Sequence, residues 1–187
     1  MRFESLDVIA PGLIDGPYDE AQVMGSAVWL FMHSDMHREM PLYGLSAQVL
    51  PALKHRQFVL ASKQGKPVFF LTWATFSPDA ERRYLMLNSP ISLFEADWAS
   101  GDRIWILDWV APFGHTRIAS RLISRLFATR CVRSLYHRGN TRGMRVMNFH
   151  GIGVMAEEAR AWFALNPPLL PVAAVATDES HRLETLP

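Results

Sequence analysis

The segment from Ser34 to Pro41 concentrates side chains that can move protons. It reads Ser-Asp-Met-His-Arg-Glu-Met-Pro and follows an apolar stretch with helical spacing, so it predicts a polar break after a helix. His37 lies inside this break, where an imidazole is available to a substrate as a general base near neutral pH. A surface histidine without a chemical role fits the same pattern, so position alone makes His37 only a candidate.

His33 precedes His37 by four residues, a spacing that places both on one face if the helix continues. Such a pair is typical of some metal sites. A metal centre also needs further Cys, His or carboxylate ligands, and this segment offers no cysteine and no evident third ligand. The sequence therefore predicts no metal here.

Asp108 is a second candidate, because it interrupts an apolar strand pattern that runs from Asp102 to Val110. Strict alternation places Asp108 on the face of Ile104 and Ile106, together with Val110. A carboxylate in that company either lies on an exposed face or is buried with a hydrogen-bonding partner. An imidazole would be a suitable partner.

A turn from Val110 to Gly114 joins this strand to the best helical pattern in the chain, His115 to Arg130. The N-terminus of a helix offers free N–H groups and a positive dipole end, which favour phosphate. No Walker or dinucleotide motif accompanies the turn. The phosphate prediction therefore needs other support.

The same helix carries a row of arginines four residues apart, Arg117, Arg121 and Arg125. Residues 102–150 hold nine Arg and two Asp without Lys or Glu, a formal charge of +7 in a chain of net charge +1. This segment is suited to an acidic partner such as nucleic acid, an anionic membrane or an acidic carrier protein. Nucleic acid is disfavoured, because no aromatic residues interleave with the arginines. The row also fits an ordinary solvated helix face.

The elements that must position these groups alternate between helix and strand. The predicted order is a helix capped by Asp19 and ending near His33, a helix over Leu45–His55, strands over Gln57–Ser62, Val68–Phe76 and Asp102–Val110, the helix His115–Arg130, a strand over Gly143–Phe149 and a helix over Glu157–Leu165. This order predicts an α/β or α+β domain over residues 19–170. Residues 1–18 predict an irregular lead-in, and residues 171–187 predict a flexible tail.

The composition fits one domain of 187 residues, 49% hydrophobic and 20% charged. The single cysteine, Cys131, excludes an internal disulfide and favours a reducing, cytoplasmic location. Its thiol is either a nucleophile or, more simply, part of a half-buried small residue late in a helix. We expect neither a signal peptide at the acidic start of the chain nor a membrane span.

Several short segments together resemble one known family, the RTX toxin-activating lysine-acyltransferases. They are Ser34–Arg38 with Pro41, Trp73–Ala74, Ala96–Trp98, Ser100–Trp105, Asp108–Gly114 and Phe149–Gly151. Their order and spacing match from about Ala27 to Gly151. The chain departs from the family pattern at Met40, where a Trp is common, and at Phe70–Ala74, where Thr72 replaces a Ser.

The resemblance implies a fold similar to the Gcn5-related N-acetyltransferases, with a central mixed or antiparallel sheet flanked by helices. It implies transfer of a fatty acyl group from the phosphopantetheine thioester of acyl carrier protein to internal lysines of an RTX protoxin. It also implies a cytoplasmic location, a homodimer and no permanently bound cofactor. By motif match the catalytic His and Asp fall on His37 and Asp108, and the family's important Ser falls on Ser34.

These matches predict a mechanism in which His37 removes a proton as the substrate lysine attacks the thioester. Asp108 would orient the ring, and Ser34 would either anchor the ring or steady the oxyanion. A covalent acyl-Ser34 or acyl-Cys131 intermediate is a less favoured alternative.

The acyl-phosphopantetheine arm would lie along the end of the strand, and the carrier protein would meet the arginine row. The residues predicted to bind this donor are Trp109, Ala111, Pro112, Arg117, Arg121 and Arg125.

Two rival functions fit parts of the pattern. One is a Gcn5-related acetyltransferase that uses acetyl-CoA, although Pro112 to Arg117 lacks the pyrophosphate loop such enzymes need. The other is a non-catalytic toxin-binding or chaperone protein, in which His37 and Asp108 are structural.

Overall fold

One mixed sheet of seven strands lies at the centre of the molecule, and its strand order follows the chain. The computed structural model describes residues 1–87, 93–138 and 141–169, so the predicted tail over 171–187 lies outside the described residues. The strands are β1 Arg2–Phe3, β2 Leu6–Ile9, β3 Phe58–Lys63, β4 Lys66–Phe76, β5 Arg103–Val110, β6 Cys131–Arg138 and β7 Thr141–His150. The helices are α1 Glu20–Met32, α2 Leu42–Lys54, α3 Pro78–Leu87, α4 Thr116–Leu126 and α5 Ala156–Leu165.

Neighbouring strands are antiparallel except for β5 and β6, which are parallel. A tight turn suffices for an antiparallel pair, as between β3 and β4, where Gln64 and Gly65 both have positive φ. A parallel pair needs a crossover, and α4 supplies it. The arrangement confirms the predicted mixed α/β class and is consistent with a Gcn5-related fold.

The sheet is buried on both faces, which explains why β4 is an almost continuous apolar run. One face packs against α1, α2 and α3, and the other packs against α4. Helix α1 fits the first face because its buried residues recur with helical spacing, at Val23, Ala27, Leu30 and Phe31. Helix α5 contacts β6 and β7.

Strand β5 contains a β-bulge that matters for the site. Thr72 of β4 pairs with Asp108 and Trp73 pairs with Ile106, so Leu107 is an extra residue on β5. Beyond the bulge every side chain of β5 is moved to the opposite face from the one that strict alternation predicts.

The predicted facing of Asp108 is therefore half wrong. Ile104 and Ile106 belong to the core beneath α4, whereas Asp108 lies with Val110 on the face of α1 and α2. Leu107 points to the same side as Asp108, as two residues of a bulge do.

The other differences between the prediction and the structure concern elements whose local sequence pattern does not indicate them. The predicted irregular lead-in is wrong for β1 and β2, which pair with each other and with β3. Cys131 begins β6 and does not lie late in a helix, because α4 ends at Leu126. Strand β6 and helix α3 lie outside the sequence prediction, since β6 carries a buried Arg133 and α3 carries four charged residues.

Candidate active site

Three side chains predicted to carry chemistry meet in one hydrogen-bonded line. Ser34 Oγ lies 2.8 Å from His37 Nδ1, and His37 Nε2 lies 3.3 Å from Asp108 Oδ1. His37 and Asp108 are 71 residues apart in sequence, so tertiary folding alone brings them together.

The segment after α1 presents Ser34 and His37 on one side because it continues as a helical turn. The backbone N–H of His37 donates to the carbonyl of Ser34 at 3.0 Å, which brings side chains three residues apart next to each other. The ring of His37 stacks on Phe31, with centroids 4.6 Å apart and planes inclined by 29°. The side chain of His37 remains 12% exposed. One face of the imidazole ring thus packs on the buried Phe31, while part of the ring remains exposed to solvent.

The partners of His37 indicate which ring nitrogen carries the proton. An ionised carboxylate only accepts hydrogen bonds, so Nε2–H donates to Asp108. Nδ1 is then unprotonated and accepts from the hydroxyl of Ser34. A hydroxyl, an imidazole base and a carboxylate in this order are the elements of acyl-transfer chemistry.

Asp108 is buried, and both of its oxygens have partners. Oδ2 accepts a hydrogen bond of 2.8 Å from Thr72 Oγ1, while Oδ1 faces His37. Burial and, to a smaller extent, the negative charge of Asp108 raise the pKa of Tyr84 well above its usual range. Thr72 was not among the predicted site residues. Its sequence signal is a threonine between Leu71 and Trp73 in a mostly apolar strand.

The pairing of β5 with β6 ends two residues before Asp108. Among the described residues their pairing covers Trp105 with Arg133 and Ile106 with Ser134, while β5 continues to Val110. The backbone of β5 beyond Ile106 therefore faces the space between the two diverging strands.

The predicted donor-binding residues at the end of β5 lie beyond its last pair with β6 and in the turn that follows. Trp109 is half-buried on the α4 side, where its ring packs against Phe69 at 4.9 Å and its buried Nε1 has no hydrogen-bond partner. Ala111 and Pro112 are also half-buried. Gly114 has a φ of +75°, which lets the chain turn into α4.

The arginine row is less uniform than its spacing predicts. Arg121 donates to both carboxylate oxygens of Glu4, and Arg125 lies over the ring of Phe3 at 5.5 Å. Arg117, at the N-terminal end of α4, is exposed. The row therefore partly packs against the turn between β1 and β2.

His33 is directed away from the line of Ser34, His37 and Asp108. Its Nδ1 lies 2.8 Å from the carbonyl of Trp29, and its ring contacts Trp29 and Phe113. Among residues 1–87, 93–138 and 141–169, no three His, Cys, Asp or Glu side chains are grouped to hold a metal ion.

Cys131 has the properties of a weak nucleophile. Partial burial raises the pKa of its thiol, and the nearby charge of Arg133 only partly opposes this. In the described part of the chain, no helix has both the length and the apolar character that crossing a bilayer requires.

Comparison with known proteins gives one family-model match. The model of the family described as "HlyC: RTX toxin acyltransferase family" matches residues 17–150, a span that includes the polar segment after α1, the bulged strand β5 and the helix α4.

Curated relatives match over similar lengths. The protein-lysine myristoyltransferase RtxC of Kingella kingae is 32% identical over 145 residues, 78% of this chain and 86% of its own. The protein-lysine palmitoyltransferase CyaC of Bordetella bronchiseptica is 36% identical over 156 residues, 81% of this chain and 82% of its own. The protein-lysine myristoyltransferase HlyC of Escherichia coli is 35% identical over 130 residues, 70% of this chain and 75% of its own.

Proposed function

Because the chain belongs to the RTX toxin acyltransferase family, we propose that it transfers a fatty acyl group from acyl carrier protein to internal lysines of an RTX protoxin. The relatives are named as protein-lysine acyltransferases, and this is the class of enzyme to which the chain is assigned. The observation that carries the proposal is the hydrogen-bonded line of Ser34, His37 and Asp108. This line supplies a base close to the point where the pairing of β5 with β6 ends, and we infer that the acyl-thioester arm binds there.

His37 is the general base in this proposal. A lysine amine with a pKa of about 10.4 is neutral in roughly one molecule in 2,500 at pH 7, so attack on a thioester needs a proton acceptor. The basic atom is Nδ1, whose lone pair accepts the hydrogen bond from Ser34, since Nε2–H is directed at Asp108. The lysine nitrogen bonds to the acyl carbon, the carbon–sulfur bond breaks, and the proton taken by Nδ1 passes to the departing thiolate.

Ser34 occupies the position between Nδ1 and the approaching amine, which leaves two roles open. Its hydroxyl relays the proton from the amine to Nδ1, or its oxygen is itself the first nucleophile and carries the acyl group as an ester. The contact of 2.8 Å with Nδ1 fits both routes. We favour the direct attack by lysine, in which no acyl-enzyme accumulates.

The donor would enter between β5 and β6, where the pairing of the two strands ends. Trp109, Ala111 and Pro112 line the path of the phosphopantetheine arm, and its phosphate meets the N-terminal turn of α4. Arg117 stands exposed beside that turn, and Arg121 and Arg125 continue the basic surface toward an acidic carrier protein.

The decisive experiment measures acyl transfer from acyl carrier protein to a toxin fragment by mass spectrometry of its lysines. We expect turnover by the wild-type protein and a loss of about a thousandfold or more in His37→Ala. His33→Ala is the matched control, because His33 lies four residues away and outside the line; it should retain activity. Wild-type rates in folded His37→Ala would remove the assignment of the base.

Two further arms separate the alternatives. Acetyl-CoA in place of the carrier protein tests the acetyltransferase function, and binding of the toxin fragment without turnover would indicate a chaperone. A hydroxylamine-labile acyl group on wild-type protein that is lost in Ser34→Ala would establish the covalent route.

Location and assembly complete the proposal. The single cysteine and the use of a carrier-protein donor favour the cytoplasm, and the family resemblance favours a homodimer. Light scattering during size-exclusion chromatography would test the dimer, because a mass equal to the chain's 21.2 kDa would contradict it.

A further inference from the structure

We propose that Thr72 is a positioning residue of this site, because its hydroxyl fixes the carboxylate of Asp108 in the orientation that His37 requires. The effect on reaction rate rests on the proposed function. The effect on the ring of His37 does not, and can be measured without any substrate.

The two oxygens of Asp108 are held from opposite sides. Thr72 Oγ1 donates to Oδ2 at 2.8 Å from β4, and His37 Nε2 lies 3.3 Å from Oδ1. Thr72 is fully buried and Asp108 nearly so. The shorter contact therefore anchors the carboxylate, while the longer one depends on how the carboxylate is turned.

The bulge in β5 creates the contact with Thr72. With regular pairing beyond Trp73 and Ile106, the residue opposite Thr72 would be Leu107. The extra residue instead brings Asp108 directly across from Thr72, at the separation where cross-strand side chains interact. The distortion of the strand and the fully buried one of the two β4 threonines thus coincide at the same pair.

The type of residue at this position is informative. Val would continue the apolar run of β4 with nearly the same shape, whereas a hydroxyl buried there is unfavourable unless it is hydrogen-bonded. In the described part of the chain, the hydroxyl of Thr72 forms one hydrogen bond, to the carboxylate of Asp108. A purely structural position in β4 has no need for this donor.

Loss of the donor should alter the tautomer of His37. Oδ2 would become a buried oxygen without a partner, and the carboxylate would be free to rotate, since this torsion has a broad energy profile. Nε2–H would then lose its fixed acceptor, and the Nδ1–H form would gain population. In that form Nδ1 has no lone pair for the proton of the substrate.

Two titratable side chains on neighbouring elements interact with the carboxylate of Asp108. They are His37, from the segment after α1, and Tyr84, from α3, whose pKa burial and the charge of Asp108 raise. Tyr84 therefore stays neutral across the working range of pH, and His37 is the group whose signal reports on the carboxylate.

The first test is nitrogen-15 NMR of histidine-labelled protein, with the resonances of His37 assigned through His37→Gln. We expect the wild type to show Nε2–H, and Thr72→Val to show a mixture of the two neutral forms. Thr72→Ser should restore the wild-type spectrum. Thr75→Val is the matched control, because Thr75 lies on the same strand with its hydroxyl directed at Gln57 and Trp98.

The second test is the rate of acyl transfer. We expect kcat of Thr72→Val to fall about 10- to 100-fold, the loss of a hydrogen bond to a charged group, with KM for acyl carrier protein little changed. Thr72→Ser should recover most of kcat, and Thr75→Val should match the wild type. Unfolding midpoints of all variants show whether each is folded, and Thr72→Ala replaces Thr72→Val if the latter is not.

The outcomes separate the two proposals. A wild-type protein that does not acylate any toxin fragment overturns the proposed function and leaves the tautomer experiment to judge Thr72. A folded Thr72→Val with the wild-type His37 spectrum and wild-type kcat overturns the positioning role. Equal impairment of Thr72→Ser and Thr72→Val would also contradict it, since Ser keeps the donor.

Discussion

Strand β5 is in contact with two buried carboxylates that have different partners: Asp108 belongs to the strand, and Glu81 packs against it from α3. Asp108 contacts Thr72 and His37, which are neutral in the arrangement described above. Glu81 of α3 is completely buried and contacts Trp105, Arg103 and Arg133. The first carboxylate is linked through a single imidazole to a partly exposed hydroxyl, whereas the second is surrounded by fixed positive charge.

The difference favours the proposed role in proton transfer for Asp108 and a structural role for Glu81. A proton can be taken up beside Asp108 because His37 is a weak base that reaches solvent at one edge. The neighbours of Glu81 are instead two guanidinium groups, which are donors only and do not act as bases. The same two arginines donate to the carbonyls of Asn166 and Pro167, so this second cluster ties the chain after α5 to the sheet.

The largest expected effect is on catalysis at the first carboxylate. Asp108→Asn preserves shape but can direct its amide at His37, which stabilises the wrong tautomer. We expect kcat to fall about a thousandfold or more, with an unfolding midpoint close to that of the wild type. A comparably large loss of stability in place of activity would mean that Asp108 belongs with Glu81 as a structural group.

The second largest effect is expected at Glu81, where substitution should lower stability and leave kcat nearly unchanged. Glu81→Gln removes the negative charge between the buried Arg133 and the partly buried Arg103, and breaking such a cluster costs about 3–5 kcal/mol of unfolding free energy. Urea unfolding measures this loss. The folded fraction should keep near-wild-type kcat, and a selective loss of kcat without loss of stability would contradict the structural role.

A smaller effect is expected where charge lies on the surface. Arg117→Glu should weaken binding of acyl carrier protein several-fold at low salt, and the difference should shrink as ionic strength rises. Arg121→Glu should weaken binding less, because Glu4 already pairs with Arg121 and offsets part of its charge in the wild type. Glu4→Gln is the control that frees Arg121 without reversing charge. Affinities that stay equal across salt concentrations would remove α4 from the docking surface.

The smallest effect is expected at Cys131. Cys131→Ser should leave kcat within about twofold of the wild type, because burial raises the pKa of the thiol and keeps it largely protonated near neutral pH. Alkylation of the thiol should accordingly be slow at pH 7 and faster at higher pH. Loss of activity in folded Cys131→Ser would revive the acyl-cysteine route.

Local patterns were sufficient for much of the fold. The spacing of Val23, Ala27 and Leu30 predicts α1, and the apolar runs of β4 and β5 predict strands, because periodicity of burial follows directly from element geometry. Strand β6 escaped prediction since Arg133 looks like a surface residue. Its burial depends on Glu81 and on aromatic rings from distant parts of the chain.

The sequence by itself determined the class of fold, the family, and the identity of Ser34, His37 and Asp108 as candidates, because residue type, order and spacing are properties of the chain. Only the tertiary structure decided how they act together. One extra residue at Leu107 turns Asp108 toward His37 and aligns it with Thr72. Alternation of side chains is a local rule, and a bulge is settled by the pairing of two strands, so this face and this partner could not be obtained from either strand alone.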